Sequence, residues 1–315
     1  FSGLRISKDA DFKKHLNKYD VIHIDIQWFL ANCDDADKVV SFITKSVLDE
    51  LRGIYPDALP QEVVTLPDAL SRVKERTGQK FVVIIDEWDV IIRDGAIIEN
   101  IQDEYLNFLR GMFKGSEPTK YIQLAYLTGI LPIKKIKTQS ALNNFDEFTM
   151  LDAGRLVSFV GFTEDEVKTL CEKYRMDFEQ VKKWYDGYCL GECHIYNPIA
   201  VVNLVTKGKF KSYWSETGTY EAIVPLLNMD FEGLKTAIIE MLGGSRAEID
   251  VSSFQNDMVS FANRDDVLTY LIHLGYLGYD EDAEAAFVPN EEIRQELTKA
   301  IRRNAWDEMI QNQRC

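Results

Sequence analysis

Two carboxylates side by side at the end of an apolar run are the sharpest chemical signal in this chain. Phe81-Val82-Val83-Ile84-Ile85 reads as a buried strand, and Asp86-Glu87-Trp88-Asp89 follows it without a break. In an open α/β sheet, ligands bind beyond the carboxyl ends of the strands. Carboxylates there suit a nucleotide site: Asp86 could hold a Mg²⁺ ion, largely through its waters, while Glu87 could orient or deprotonate an attacking water. Alternation along the strand sends the two side chains in different directions, which fits two different jobs. The bland alternative is a loop start or a helix cap. A second apolar run, Tyr121 to Leu127, ends in Thr128-Gly129. If it lies beside the first, Thr128 faces the same site and could bond a phosphate oxygen or the water. Arg93, Lys134 and Lys135 follow these strands and could supply charge to phosphate, although loop cations are usually just solvated. No G-x-x-x-x-G-K-[ST] occurs among the 315 residues. Nothing here therefore cradles the β- and γ-phosphates, and the chain carries half of a shared Mg²⁺ site.

Other constellations are weaker. Cys189, Cys193 and His194 offer three zinc ligands, but no second pair completes four. His15, His23 and His273 have no Ser or Cys signature nearby, so a nucleophile triad is unsupported. Trp184-Tyr185 and Tyr213-Trp214 read as packing aromatics rather than base-stacking platforms.

The elements that must position Asp86, Glu87 and Thr128 are those of a parallel sheet flanked by helices. Candidate strands are Val21 to Ile26, Phe81 to Ile85 and Tyr121 to Leu127, separated by helical patterns at Asp37 to Ile54 and Pro67 to Arg76, the latter closed by Gly78. From Phe162 the pattern becomes helical. Thr163 and Glu166 form a capping box flanked by Phe162 and Val167, a further helix spans Asp177 to Asp186, and Asn197-Pro198 opens another that ends at Gly208. Near the C-terminus, Asp265-Asp266 can cap a helix from Val267 to Leu274. Tyr276 to Tyr279 and Ala285 to Pro289 read as a hairpin, and Asn290 caps a last helix, Glu291 to Arg302. Helix, hairpin, helix in this order resembles a winged-helix unit.

Composition narrows the function classes. With 36 Lys and Arg against 51 Asp and Glu, the net charge is −15, which disfavours unassisted binding to nucleic acid or anionic lipid. Residues 219–300 alone carry 5 basic and 16 acidic side chains, so the winged-helix-like part is expected to serve packing or the docking of a protein partner rather than DNA binding. The five cysteines are an odd, scattered number, and no structural disulfide is expected. Neither a signal peptide nor a membrane-length apolar run is present, so a cytoplasmic protein is expected. Because the chain opens on Phe1, a piece of a longer protein is expected.

Taken in order, the motifs resemble those of a bacterial AAA-ATPase-like family, a branch of the P-loop NTPases. They are the Walker B-like Ile84-Ile85-Asp86-Glu87-Trp88-Asp89, the sensor-like Leu127-Thr128-Gly129-Ile130-Leu131-Pro132-Ile133 with Ser140-Ala141-Leu142-Asn143, and Val160-Gly161-Phe162-Thr163. Trp184-Tyr185-Asp186-Gly187-Tyr188, Tyr196-Asn197-Pro198, Tyr213-Trp214 with Thr217, Leu274-Gly275-Tyr276-Leu277 and Pro289-Asn290-Glu291 follow. The resemblance implies an ATP-binding and hydrolysing regulatory module that uses ATP and Mg²⁺. Asp86 would be on the ion, Glu87 on the water, and Thr128 would sense the γ-phosphate. It also implies a Walker A segment upstream of Phe1-Ser2-Gly3-Leu4-Arg5-Ile6 and a PD-(D/E)xK nuclease-like domain downstream, both outside this chain. No arginine finger or second sensor carries over. The expected architecture is α/β: a P-loop-NTPase-like core over 1–160, a helical lid-like subdomain over 161–227 and a winged-helix-like region over 228–315. Alone, such a chain is expected to hydrolyse ATP very slowly or not at all. The competing reading is a non-catalytic scaffold built on a degenerate NTPase core.

Overall fold

Three apolar runs ending at similar depth build the sheet that carries the acidic pair. The computed structural model describes residues 1–94, 97–132, 142, 144–214, 220–254 and 261–303, the backbone alone at 220–222 and 303. Phe1–Phe145 forms one compact unit, and the described residues from Asp146 onward form another.

The first unit holds α1 (Phe12–His15), β1 (Asp20–Asp25), α2 (Ile26–Ala31), α3 (Val39–Ile54), α4 (Leu66–Thr77), β2 (Phe81–Asp86), α5 (Val90–Arg93), α6 (Glu99–Phe113), α7 (Pro118–Tyr121) and β3 (Ile122–Leu127). β2 is the central strand, parallel to both β1 and β3. The expected strands and helices of this unit fall within two residues of the sequence patterns, and two of the shifted ends hand a residue to a neighbouring element. Ile26 opens α2 rather than closing β1, because Asp25 caps that helix by accepting the Trp28 N–H at 2.9 Å. Tyr121 closes α7 rather than opening β3.

Alternation on β2 divides the sheet into two faces. Phe81, Val83 and Ile85 are fully buried, while Val82, Ile84 and Asp86 are half-buried. Parallel strands usually have both faces covered, yet on the second face Val21, Leu124 and Tyr126 are exposed. In register, Val21, Val82 and Leu124 form one row across that face, and His23, Ile84 and Tyr126 the next. The apolar stripes of α3, α4 and α6 pack on one another, burying Ile43, Leu51, Leu70, Val73, Leu106 and Leu109.

The second unit contains β4 (Phe162–Thr163), α8 (Glu164–Tyr174), α9 (Phe178–Tyr185), β5 (Tyr188–Leu190), β6 (Cys193–Tyr196) and α10 (Pro198–Lys207). It continues with α11 (Tyr220–Leu227), α12 (Leu234–Leu242), β7 (Ala247–Glu248), α13 (Arg264–His273), β8 (Gly278–Asp280), β9 (Ala285–Phe287) and α14 (Glu291–Arg303). Its strands form two small antiparallel sheets, β4-β6-β5 and β7-β9-β8. The capping box at Thr163 and Glu166 is complete, and Asn197 caps α10 as its position before Pro198 implies. At α13 the cap is Asn263, which accepts from Asp265 N at 2.8 Å and Asp266 N at 3.0 Å. The helix therefore starts at Arg264, and the acidic pair lies inside its first turn. Asp266 instead turns inward, accepting from Ser253 Oγ at 3.0 Å and Ala262 N at 2.8 Å.

Several downstream motifs meet one another in this unit. Tyr188 Oη donates to the Gly275 carbonyl at 2.6 Å, and Asn290 Nδ2 donates to the Asp186 carbonyl at 2.7 Å. Gly187 has φ 112°, and a Cβ there would lie 2.1 Å from the Pro289 carbonyl oxygen. Only glycine permits that approach. The Trp184–Tyr188 stretch is thus fastened to both the Leu274–Leu277 and Pro289–Glu291 stretches.

Candidate functional site

The carboxyl edge of the parallel sheet gathers four acidic residues, one arginine and one threonine. Parallel register places Asp25 at the end of β1 opposite Asp86 at the end of β2. Thr128 follows β3 directly, and its N–H donates to the Ile85 carbonyl at 2.9 Å. Its hydroxyl donates to Asp86 Oδ1, which also accepts the Glu87 N–H at 3.1 Å. Two strands that lie far apart in sequence therefore meet at one carboxylate oxygen.

At Glu87 the chain turns sharply. Its φ of 51° is left-handed, a conformation that costs a non-glycine residue about 1 kcal/mol. The turn is held because the Trp88 N–H donates to the Thr128 carbonyl at 2.9 Å and Tyr105 Oη donates to the Trp88 carbonyl at 2.8 Å. It brings the Glu87 carboxylate onto the Arg93 guanidinium. Burial raises the Glu87 acid above the ordinary carboxylate range; Arg93 pulls it down, while Asp89 and Asp86 push it further up. A glutamate held in this way takes a proton more readily than one in water.

Asp89, fully buried, is the structural anchor. Its Oδ2 accepts the N–H groups of Ile130 at 3.0 Å and Leu131 at 2.7 Å, and it lies 3.0 Å from Arg93 Nε. It thereby ties the loop after β2 to the loop after β3. Gly129 makes the junction possible: a Cβ there would sit 2.6 Å from Asp89 Oδ1 and 2.6 Å from Trp88 Cδ1.

Asp86, Glu87 and Thr128 are thus brought together, and it is the left-handed turn at Glu87, outside β2, rather than strand alternation that sets the direction of its side chain. Arg93 neutralises Glu87 and Asp89 rather than standing free for phosphate. Lys134 and Lys135, with most of the 140–143 stretch, lie outside the described residues. Asp25, Asp89 and Tyr105 went unassigned in the sequence. Asp89 had a signal, since it stands one helical turn before Arg93; Asp25 had another, ending an apolar run as Asp86 does.

Asp86 is the residue at this edge that could hold a Mg²⁺ ion shared with a ligand. Among the described residues Asp86 Oδ2 accepts no hydrogen bond, and Mg²⁺ commonly takes one or two carboxylates plus waters and phosphate oxygens. The other candidate cluster behaves differently. His194 Nδ1 lies 3.0 Å from Asp186, and Glu164 is held by Lys168 at 2.6 Å and Lys182 at 3.0 Å. Those two lysines draw the Glu164 acid down to about 2. Glu164, Asp186 and His194 can approach a common point, but two ammonium groups already occupy the glutamate. Cys189 and Cys193 are free thiols outside that group.

Residues 1–138 match the family model described as predicted AAA-ATPase. In that stretch the chain resembles the predicted AAA-ATPases, and the whole carboxyl edge described above falls within it. An uncharacterized protein in the vnfD 5' region of Azotobacter chroococcum mcd 1 is 31% identical over 153 residues. The match covers 48% of this chain and 29% of that relative, so the chain spans well under half of the relative's length. Among the described residues no helix is long and apolar enough to cross a membrane.

Proposed function

We propose that residues 1–138 form the magnesium and water-activating half of an ATP-hydrolysing regulatory module. The observation that carries this reading is the meeting of Asp86, Glu87 and Thr128 at the carboxyl edge of a parallel sheet. Asp86 would hold Mg²⁺, which when bound neutralises charge on the β- and γ-phosphates. Glu87, turned aside by its backbone and raised in proton affinity by burial, accepts a proton from the attacking water. The Thr128 hydroxyl donates to Asp86 Oδ1, so a shift of that carboxylate would be felt in the loop after β3, as a γ-phosphate sensor requires. Asp89 and Arg93 hold the two loops together while this happens.

The phosphate cradle must come from elsewhere, because no G-x-x-x-x-G-K-[ST] occurs in these 315 residues. We place its packing site on the exposed sheet face at Val21, Leu124 and Tyr126, the face that Val82, Ile84 and Asp86 share on β2. The helical and winged-helix-like parts of the second unit would transmit the nucleotide state, in the cytoplasm. The test is phosphate release from Mg²⁺–ATP, by malachite green, for these 315 residues and for the encoded protein including any G-K-[ST] loop. The short chain is expected to stay at its Glu87→Gln background. The loop-bearing protein is expected to turn over and to lose about a hundredfold or more with Glu87→Gln, the usual contribution of a general base. Equal turnover by wild type and Glu87→Gln in the loop-bearing protein refutes the reading.

One observation favours a second reading, a non-catalytic scaffold. The 16 acidic against 5 basic residues of 219–300 suit a basic protein partner. Capture of such a partner that is indifferent to nucleotide and to Asp86→Ala supports the scaffold; nucleotide-dependent capture counts against it.

A further inference from the structure

The second unit contains a cleft that has no part in the nucleotide reading. Asn197, Ile199, Ala200, Trp214 and Glu292 line a volume of about 140 Å³, room for several waters at about 30 Å³ each or for a short alkyl chain. Its polar wall is a buried acid, for Glu292 is 1% exposed. Glu292 Oε1 accepts the N–H groups of Tyr213 at 2.6 Å and Trp214 at 3.1 Å. Among the described residues Oε2 accepts no hydrogen bond, and Glu292 makes no ion pair. A buried carboxylate with one oxygen left bare is costly, and a donor carried in by a ligand recovers that cost. Burial, opposed by the two N–H groups, and the nearby Glu296 hold the acid up at about 7. A cation beside it would restore the ionised form.

The remaining walls select the shape of that cation. Asn197 spends its side-chain oxygen on the N–H groups of Ile199 at 2.8 Å and Ala200 at 3.3 Å, and Ile199 and Ala200 add an aliphatic surface. Trp214 supplies an aromatic one, which favours a positive charge over a neutral group. The acidic excess of residues 219–300 draws cations toward this unit.

We propose that this cleft binds an alkylammonium group, with Glu292 as its counter-ion. The group comes either from a free amine or from a lysine side chain of a polypeptide. The inference stands whether or not residues 1–138 hydrolyse ATP.

The probe is n-butylammonium, titrated into the full chain by isothermal calorimetry, with 1-butanol as the neutral comparison. Saturable binding of butylammonium, at least about tenfold tighter than 1-butanol, is expected. Glu292→Gln keeps an oxygen for the Tyr213 and Trp214 N–H groups and is expected to weaken the ammonium about tenfold while leaving 1-butanol unchanged. Ile199→Lys, at a 45% exposed position where folding is not at stake, places a repelling charge at the mouth and is expected to weaken it as well. Competition by an acetylated Gly-Lys-Gly amide points to a polypeptide lysine, and competition by putrescine alone points to a free amine. No saturable binding to the wild type, or equal affinity for butylammonium and 1-butanol, overturns the proposal. So does full affinity in Ile199→Lys.

Discussion

A single methyl group at Gly129 is expected to damage the site more than most side-chain deletions. The new Cβ would lie 2.6 Å from Asp89 Oδ1, 2.6 Å from Trp88 Cδ1 and 2.7 Å from Trp88 Nε1. Neither neighbour can retreat into solvent, since Asp89 is fully buried and Trp88 is 3% exposed. Overpacking of this kind costs about 1–3 kcal/mol. If Asp89 moves, it also loses hydrogen bonds from Ile130 or Leu131, and a bond to a buried charge is worth about 1.5–3 kcal/mol. Gly129→Ala is therefore expected to lower the stability of the first unit by about 3 kcal/mol. Gly111→Ala is the internal control: it lies in α6 with nothing within 4 Å of its Cβ, and replacing glycine inside a helix is expected to gain about 0.5–1 kcal/mol. Urea unfolding of both variants, compared at unchanged m-value, checks the pair. A loss below about 1 kcal/mol for Gly129→Ala, or the same sign for both variants, would refute the claim that the Asp89 junction is closely packed.

Three further outcomes follow from the same geometry. Glu87→Gly relieves a left-handed backbone worth about 1 kcal/mol and gives up an ion pair to a carboxylate 38% exposed, which is worth less. Urea midpoints should rise slightly while any ATP turnover of the loop-bearing protein disappears; a lower midpoint would contradict the strain assignment. Gly187→Ala forces a Cβ against the Pro289 carbonyl, 2.1 Å away, at a backbone angle alanine avoids, and is expected to cost more than about 3 kcal/mol; near-normal stability by thermal melting would show that the two stretches are not fastened. The Glu292 acid, raised in the folded state to about 7, binds more protons folded than unfolded between roughly pH 4.5 and 7. Stability should therefore fall as pH rises through that window, by roughly 1–3 kcal/mol. Glu296, paired with Lys299 at 2.7 Å, is its acidic neighbour and remains unchanged in Glu292→Gln. That variant should flatten the dependence, and an identical slope in both proteins would show that another group sets it.

The elements were legible because their causes are local. An unbroken apolar run of strand length marks β2, a threonine and a glutamate three residues on mark the start of α8, and Asn197-Pro198 marks α10. At α13 the sequence pattern pointed to Asp265-Asp266 as the cap, and the structure places the cap at Asn263 instead. Asn263 wins by accepting two backbone N–H groups, while Asp266 is drawn into hydrogen bonds with Ser253 and Ala262. That competition depends on residues outside the helix.

By itself, the sequence determined that an apolar strand delivers Asp86 and Glu87 at its carboxyl end, and that Thr128 ends another such strand. Only the tertiary structure decided that Thr128 bonds Asp86, that Arg93 is consumed by Glu87 and Asp89, and that Asp25 joins the same edge. It alone gathers Asn197, Trp214 and Glu292 around one cleft. Strand and helix periods are written in neighbours two to four residues apart. The partner of a side chain depends instead on strand register and on packing between segments brought together from distant parts of the chain, and no local pattern encodes those distances.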